Sequence, residues 1–170
     1  MAETALQLET VQKKETTVCI RFMIRYDMPE VLNIESESFQ FPWQKEDFVR
    51  CYYQRNYLLM VAEHEKRIAG FMVYELSKTR YRILNFAVSP GMRRHRVGSQ
   101  MVAKLVTKLS LQRRTRIVLE VRETNLVAQL FFQACGFRAV SVLRNYYEDT
   151  PEDAYLMQYR YNPIPAIKAS

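Results

Sequence analysis

At 170 residues, with 48% hydrophobic and 25% charged residues, the chain has the size and composition of one globular domain with a single substantial core. Its three scattered cysteines argue against a disulfide framework and fit a reducing cytosol, and two histidines without a cysteine cluster give no metal-ligand spacing. A net charge of +7 favours anionic partners, either a phosphorylated cofactor or a nucleic-acid surface, and no apolar run approaches the ~20 residues of a membrane span.

Residues 1–17 lack the apolar core of a signal peptide and read as a loosely held polar extension. Residues 18–25 alternate, with Ile20, Phe22 and Ile24 on one face of a strand. Asp27 stands at the cap of a helix over 28–39, with Pro29 tolerated in its first turn. Phe41-Pro42-Trp43 breaks that helix, and a second covers 44–54 with Glu46 and Asp47 where the dipole favours them. Strands at 57–63 and 67–76 flank the turn His64-Glu65-Lys66, and 81–88 extends the meander to Ser89-Pro90-Gly91.

From Gly98 the period changes. Met101, Val102, Leu105, Val106 and Leu109 make one apolar face of an amphipathic helix. Ahead of them lies Arg93-Arg94-His95-Arg96-Val97-Gly98, positive charge at a helix start. Free backbone N–H groups and the helix dipole make such a place a candidate phosphate cradle, with a solvated basic loop as the alternative. Residues 116–121 form a nearly continuous apolar run interrupted by Glu120, which suits a strand covered on both faces in a parallel pairing. Asn125 caps a helix over 126–135 that ends at Gly136. Strands at 138–143 and 153–161 close the chain before a proline-containing tail at 162–170. No repeat or linker divides it, so one α+β domain over 18–161 is the economical reading.

Glu120 is the residue most in need of a role, because a carboxylate in an apolar strand is costly unless paired or used. It lies toward the carboxyl end of a strand, where ligand sites form in parallel sheets. The alternative is a rim carboxylate paired with Arg122 or Arg116. Tyr146 and Tyr147, in a loop after Arg144, either line a peptide groove or cover the end of the core. Phe41 and Trp43 carry the same ambiguity between ligand wall and helix staple. Cys135 reads as core, while His64 and His95 read as exposed.

The order of elements, and the segments that fill it, resemble the GNAT superfamily of acyl-CoA-dependent acyltransferases. Within it the chain is most similar to the RimI-type and related N-terminal protein acetyltransferases. The resemblance rests on Phe41-Pro42-Trp43, Asn85-Phe86-Ala87-Val88 with Pro90, residues 93–98, Leu119-Glu120-Val121-Arg122 with Asn125, Cys135-Gly136-Phe137, Arg144-Asn145-Tyr146-Tyr147, and Glu152-Asp153-Ala154-Tyr155-Leu156-Met157. It implies a mixed, mostly antiparallel seven-stranded sheet with splayed central strands and about four helices.

The resemblance further implies acetyl-CoA as acetyl donor, with no metal. The pyrophosphate would rest on the loop of Arg93, Arg94, His95, Arg96, Val97, Gly98 and Ser99. The pantetheine arm would pair with Phe86, Ala87 and Val88, near Asn125 and Phe132. Glu120 would be the general base, with Phe41, Trp43, Tyr146 and Tyr147 holding the acceptor. The implied acceptor is the N-terminal alanine of a small-subunit ribosomal protein, modified in the cytoplasm by a monomer that needs neither membrane nor direct nucleic-acid binding. Acetylation of lysine or a small amine, or a weakly active CoA-binding or ribosome-associated module, are the alternatives. Two residues depart from the family pattern: Arg96 replaces the first loop glycine, and Phe132 replaces a tyrosine taken as the general acid, so either Tyr146 or Tyr147 reaches the sulfur or, the favoured reading, the thiolate leaves unaided and is protonated by solvent.

Overall fold

The computed structural model describes residues 15–163, which build one seven-stranded sheet with helices on both faces. In chain order the elements are β1 (Cys19–Phe22), α1 (Met28–Ser38), α2 (Lys45–Tyr53), β2 (Tyr57–His64), β3 (Arg67–Leu76) and β4 (Arg80–Val88). There follow α3 (Val97–Val106), β5 (Arg116–Arg122), α4 (Leu126–Ala134), β6 (Arg138–Leu143) and β7 (Ala154–Arg160). The strand order is β1-β2-β3-β4-β5-β7-β6, with β4 and β5 parallel and every other pair antiparallel.

Two cores lie on opposite faces. Val31, Ile34, Phe48 and Cys51 of α1 and α2 pack on Leu59, Val61, Phe71 and Val73. Met101, Val102 and Leu105 of α3 and Phe132 of α4 pack on Met60, Met72, Ile83, Ile117 and Leu119. Each fully buried large aliphatic or aromatic side chain stabilises by about 1.5–3 kcal/mol relative to exposure.

The parallel pair parts early. Arg80 through Ile83 pair with Arg116 through Leu119, and pairing stops there although both strands continue. At the same level Tyr74 faces Ile83 while Val73 faces Asn85, so Leu84 is an extra residue on β4. The bulge changes which side chains face which helices. Tyr81 and Ile83 belong to the α3–α4 core, and beyond the bulge Phe86 and Val88 do, while Leu84 and Ala87 join the other.

Three local readings are corrected. The first strand ends at Phe22, and Arg25–Asp27 form a 3₁₀ turn where the strand was expected to continue. Asp27 does not cap α1 with its side chain; its carboxylate accepts from the Ile24 N–H at 2.8 Å and pairs with Arg21 at 2.8 Å. Residues 15–17 are tied down: Gln100 Nε2 donates to the Thr16 carbonyl at 2.7 Å, and the Thr16 N–H donates to the His95 carbonyl at 3.2 Å. The rest of the expected extension, and of the tail beyond 163, lies outside the described residues. Among the described residues no helix is long and apolar enough to cross a membrane, and no group of His, Cys, Asp or Glu is placed to hold a metal.

Candidate active site

Glu120 emerges on β5 one residue past the last residue paired with β4, so its carboxylate stands where the two strands separate. Its partner is neither Arg122 nor Arg116. Arg82 of β4 holds it with two contacts, Nη2 to Oε1 at 3.0 Å and Nε to Oε2 at 3.2 Å. Arg82 Nη2 also donates to the Tyr146 hydroxyl at 2.8 Å. Burial opposes the charge on Arg82, and the hydrogen bond and charge of Glu120 outweigh it, holding its pKa above the ordinary arginine value. Arg82 was missed in the sequence, where it looks like one more solvated cation.

Arg122 has other work. It binds both oxygens of Asp149, at 2.8 and 2.7 Å, together with Glu152 at 2.9 Å and Thr150 at 2.7 Å. Its guanidinium lies 3.7 Å from the centre of the Tyr147 ring and 5.6 Å from that of Phe41. Cation–π contact of this kind fixes the ring plane. Tyr146 and Tyr147 meet edge to face at 5.1 Å. Burial pushes the Tyr147 hydroxyl up to about 12, so it is a neutral hydrogen-bond donor across the physiological range. Glu120, Arg82, Tyr146, Tyr147, Arg122 and Phe41 thus form one cluster at the parting of the strands. Trp43 stands apart from it, packed on Phe48 at 5.4 Å.

A second carboxylate, also missed, is buried beneath the 41–43 turn. Glu35 of α1 is 1% exposed, accepting from the Trp43 N–H at 2.7 Å and from Asn85 Nδ2 at 2.9 Å. It ties α1, the 41–43 turn and the residue after the β4 bulge into one unit. Burial pushes its pKa above the ordinary carboxylate value, against the pull of these two donors. The signal was present: Glu35 falls on the helix face of Val31 and Ile34, where a solvated carboxylate has no place.

The loop before α3 has the form of an anion cradle. Arg94 and Arg96 take left-handed φ values of 68° and 64°, and α3 starts at Val97. Among the described residues none of the amides from Arg94 to Ser99 donates a backbone hydrogen bond. Six consecutive free N–H groups at a helix start are a ready anion site. Arg96 adopts the conformation that glycine would, and turns its side chain away to Glu15 at 3.2 Å. Gly98 is closely packed, since a Cβ there would lie 3.0 Å from Phe131 and 3.2 Å from Phe86 and would press on both rings. Arg93 ties the loop back, donating to the Val88 carbonyl at 3.0 Å and to Ser38 Oγ at 3.1 Å. His95, expected to be exposed, has an enclosed Nδ1 without a partner among the described residues. Asn125 Oδ1 caps α4 through the Ala128 N–H at 3.1 Å, and Phe132 is buried among Phe86, Phe131 and Phe137.

A parted parallel pair with free backbone on β4, a loop shaped as an anion cradle beyond it and a carboxylate at the parting are features that suit an acyltransferase for an extended, phosphorylated acyl donor. Similarity to known proteins agrees. The profile of the Acetyltransferase (GNAT) family matches residues 28–137. The chain is 28% identical over 152 residues to the [ribosomal protein bS18]-alanine N-acetyltransferase of Escherichia coli strain K12, covering 88% of this chain and 96% of that protein. A putative enzyme of the same name from Bacillus subtilis strain 168 is 29% identical over 149 residues, 87% of this chain and 99% of its own. Ard1 from Thermoplasma volcanium superposes with a TM-score of 0.77 at 28% identity, over 86% of this chain and 99% of that one. The chain belongs to the GNAT acetyltransferase family. It is an acetyl-CoA-dependent N-acetyltransferase whose relatives include the bS18-alanine enzymes.

Proposed function

We propose that this enzyme acetylates the α-amine of a protein N-terminus, the N-terminal alanine of a small-subunit ribosomal protein, with Glu120 as general base. The observation that carries the reading is Glu120 at the strand parting, held by the same Arg82 guanidinium that donates to the Tyr146 hydroxyl. An α-ammonium has a pKa of about 7.7–8.0 against about 10.4 for lysine, so one carboxylate, directly or through a water, suffices for the former.

The residues divide the work. The free amides of 94–99 receive the pyrophosphate, and the backbone of Phe86, Ala87 and Val88 pairs with the pantetheine arm beside Asn125 and Phe132. Acetyl-CoA supplies a thioester whose sulfur, with a thiol pKa of about 8.5 on the cysteine scale, leaves as thiolate at a cost of about 2 kcal/mol at pH 7. Phe132 cannot donate a proton, and solvent supplies it. Tyr146 and Tyr147 grip the first backbone groups of the acceptor, with Phe41 beside them on Arg122. On this reading residues 18–161 are the catalytic domain, and the enzyme acts as a monomer in the cytoplasm.

The test is incubation with acetyl-CoA and paired peptides, one with a free N-terminus and one with a blocked N-terminus and an internal lysine, followed by mass measurement. A single acetyl group on the free N-terminus alone is expected. Acetylation of the blocked peptide would overturn the assignment.

A further inference from the structure

The positive charge of this chain is concentrated in one span. From Leu76 to Leu119 there are eleven Lys and Arg residues and no Asp or Glu. The cofactor loop accounts for Arg93, Arg94 and Arg96, and Arg82 is neutralised by Glu120. A second group remains on the sheet. Arg80 of β4 lies directly opposite Arg116 of β5, and Arg116 directly opposite Arg160 of β7. Arg138 of β6 joins the next row, opposite Gln158. Like charges directly opposite on a sheet are destabilising, so a row of three arginines calls for a counter-charge.

The described residues do not provide one. Among the described residues Arg80, Arg116, Arg138 and Arg160 make no ion pair, unlike Arg21, Arg67, Arg82, Arg122 and Arg144. The Nε of Arg116 is enclosed and has no hydrogen-bond partner, an orphan of the kind that a bound anion satisfies. A cleft beside it is lined by Thr115, Arg116, Arg160 and Tyr161.

The row is also accessible. Arg80, Arg138 and Arg160 are exposed. By strand alternation Arg116, Val118 and Glu120 share one face. On that face α1 packs over β3 and β4 and α2 over β2, and the core beneath them takes no residue from β5, β6 or β7. Arg116 is four residues from Glu120, about 13 Å along the strand. At about 4.8 Å between strands the three arginines span about 10 Å. A repeating anion fits a row of that length, and a single carboxylate does not.

We infer that the arginine row Arg80–Arg116–Arg160, with Arg138, is a docking surface for the phosphodiester backbone of RNA, separate from the acetyl-CoA cradle. The choice of RNA rests on the proposed ribosomal acceptor. Phosphate contacts of this kind position a protein without reading sequence. Docking on the particle that carries the acceptor raises the effective concentration of its N-terminus at Glu120. The reaction chemistry is unaffected by the row.

The test measures binding of a fluorescein-labelled single-stranded oligouridylate by anisotropy, with acetyl-CoA present in excess and salt varied. Three to four phosphate contacts give a log–log salt slope of about −2 to −3, an affinity loss of about twenty- to fifty-fold between 50 and 200 mM salt. Arg80→Gln combined with Arg160→Gln is expected to make the slope shallower by about 1.4 and weaken RNA binding at least about tenfold. Its kcat and KM on free peptide should be unchanged, and its melting temperature unchanged or raised because the like-charge row is relieved.

RNA binding that survives the double variant, or that acetyl-CoA abolishes, overturns the inference. So does preference for polyglutamate over RNA. RNA binding lost in the variant while the free-N-terminus peptide goes unacetylated upholds the surface and refutes the acceptor. Peptide acetylation without any RNA binding does the reverse.

Discussion

Arg82 and Glu120 face each other across the parted ends of two parallel strands, guanidinium on carboxylate, at 3.0 and 3.2 Å. The same guanidinium reaches the Tyr146 hydroxyl at 2.8 Å, so one side chain sets the position of both the proposed base and the proposed acceptor-binding tyrosine. Arg82 is therefore a positioning residue. Arg82→Met leaves Glu120 free to rotate, and misplacement by about 1 Å costs about 10²-fold. We expect a loss of kcat approaching that size, with peptide KM changed less, and partial recovery in Arg82→Lys. Glu120→Gln should lower turnover about 10²–10⁴-fold with acetyl-CoA binding retained by calorimetry. Equal turnover in Arg82→Met and the parent would show that the pair is incidental.

Glu35 makes stability fall as pH rises. Its folded-state pKa is raised by burial, so the folded protein holds a proton that the unfolded chain releases. The contribution is complete below the ordinary glutamate value of about 4.3 and is lost as pH climbs through the raised folded value. Glu35→Gln keeps an oxygen for the Trp43 N–H and should flatten this limb in melting curves recorded from pH 4 upward. Glu35→Ala orphans two donors, at about 1–3 kcal/mol each. An unchanged pH dependence in Glu35→Gln would contradict the assignment.

Arg96 and Gly98 should respond in opposite directions. Arg96 holds a left-handed φ of 64°, which glycine adopts without strain. Arg96→Gly is expected to relieve about 1 kcal/mol of strain and leave acetyl-CoA affinity intact, because the side chain points to Glu15. Gly98→Ala presses a Cβ against Phe131 and Phe86, costing about 1–3 kcal/mol and weakening cofactor binding. Thermal melts with and without acetyl-CoA measure both effects. A large affinity loss in Arg96→Gly would make Arg96 a phosphate ligand.

Tyr147 should act through binding. Its hydroxyl, pushed up to about 12 by burial, stays protonated at working pH, and its ring is stacked on Arg122 at 3.7 Å. Tyr147→Phe keeps the stack and removes the hydroxyl, so steady-state kinetics should show a higher peptide KM at similar kcat. A collapse of kcat with peptide affinity untouched would make Tyr147 the acid that Phe132 cannot be.

Local sequence determined the elements and their order. Alternating or continuous apolar runs between turn residues gave the strands, the apolar stripe from Met101 to Leu105 gave α3, and Asn125 and Gly136 bounded α4, because each is a property of neighbouring residues along the chain. Glu120 was conspicuous for a local reason too: a carboxylate breaks an apolar run. Its partner was not legible. Arg82 is 38 positions away, and only the register of β4 on β5 brings the two together, whereas Arg122, adjacent in sequence, is taken up by Asp149 and Glu152. The extra residue at Leu84 was equally hidden, since burial still alternates along β4 while the faces exchange. The arginine row follows the same logic, three unremarkable cations made neighbours by strand pairing alone. Periodicity is a short-range signal, but the field at any charge is set by what tertiary structure places beside it.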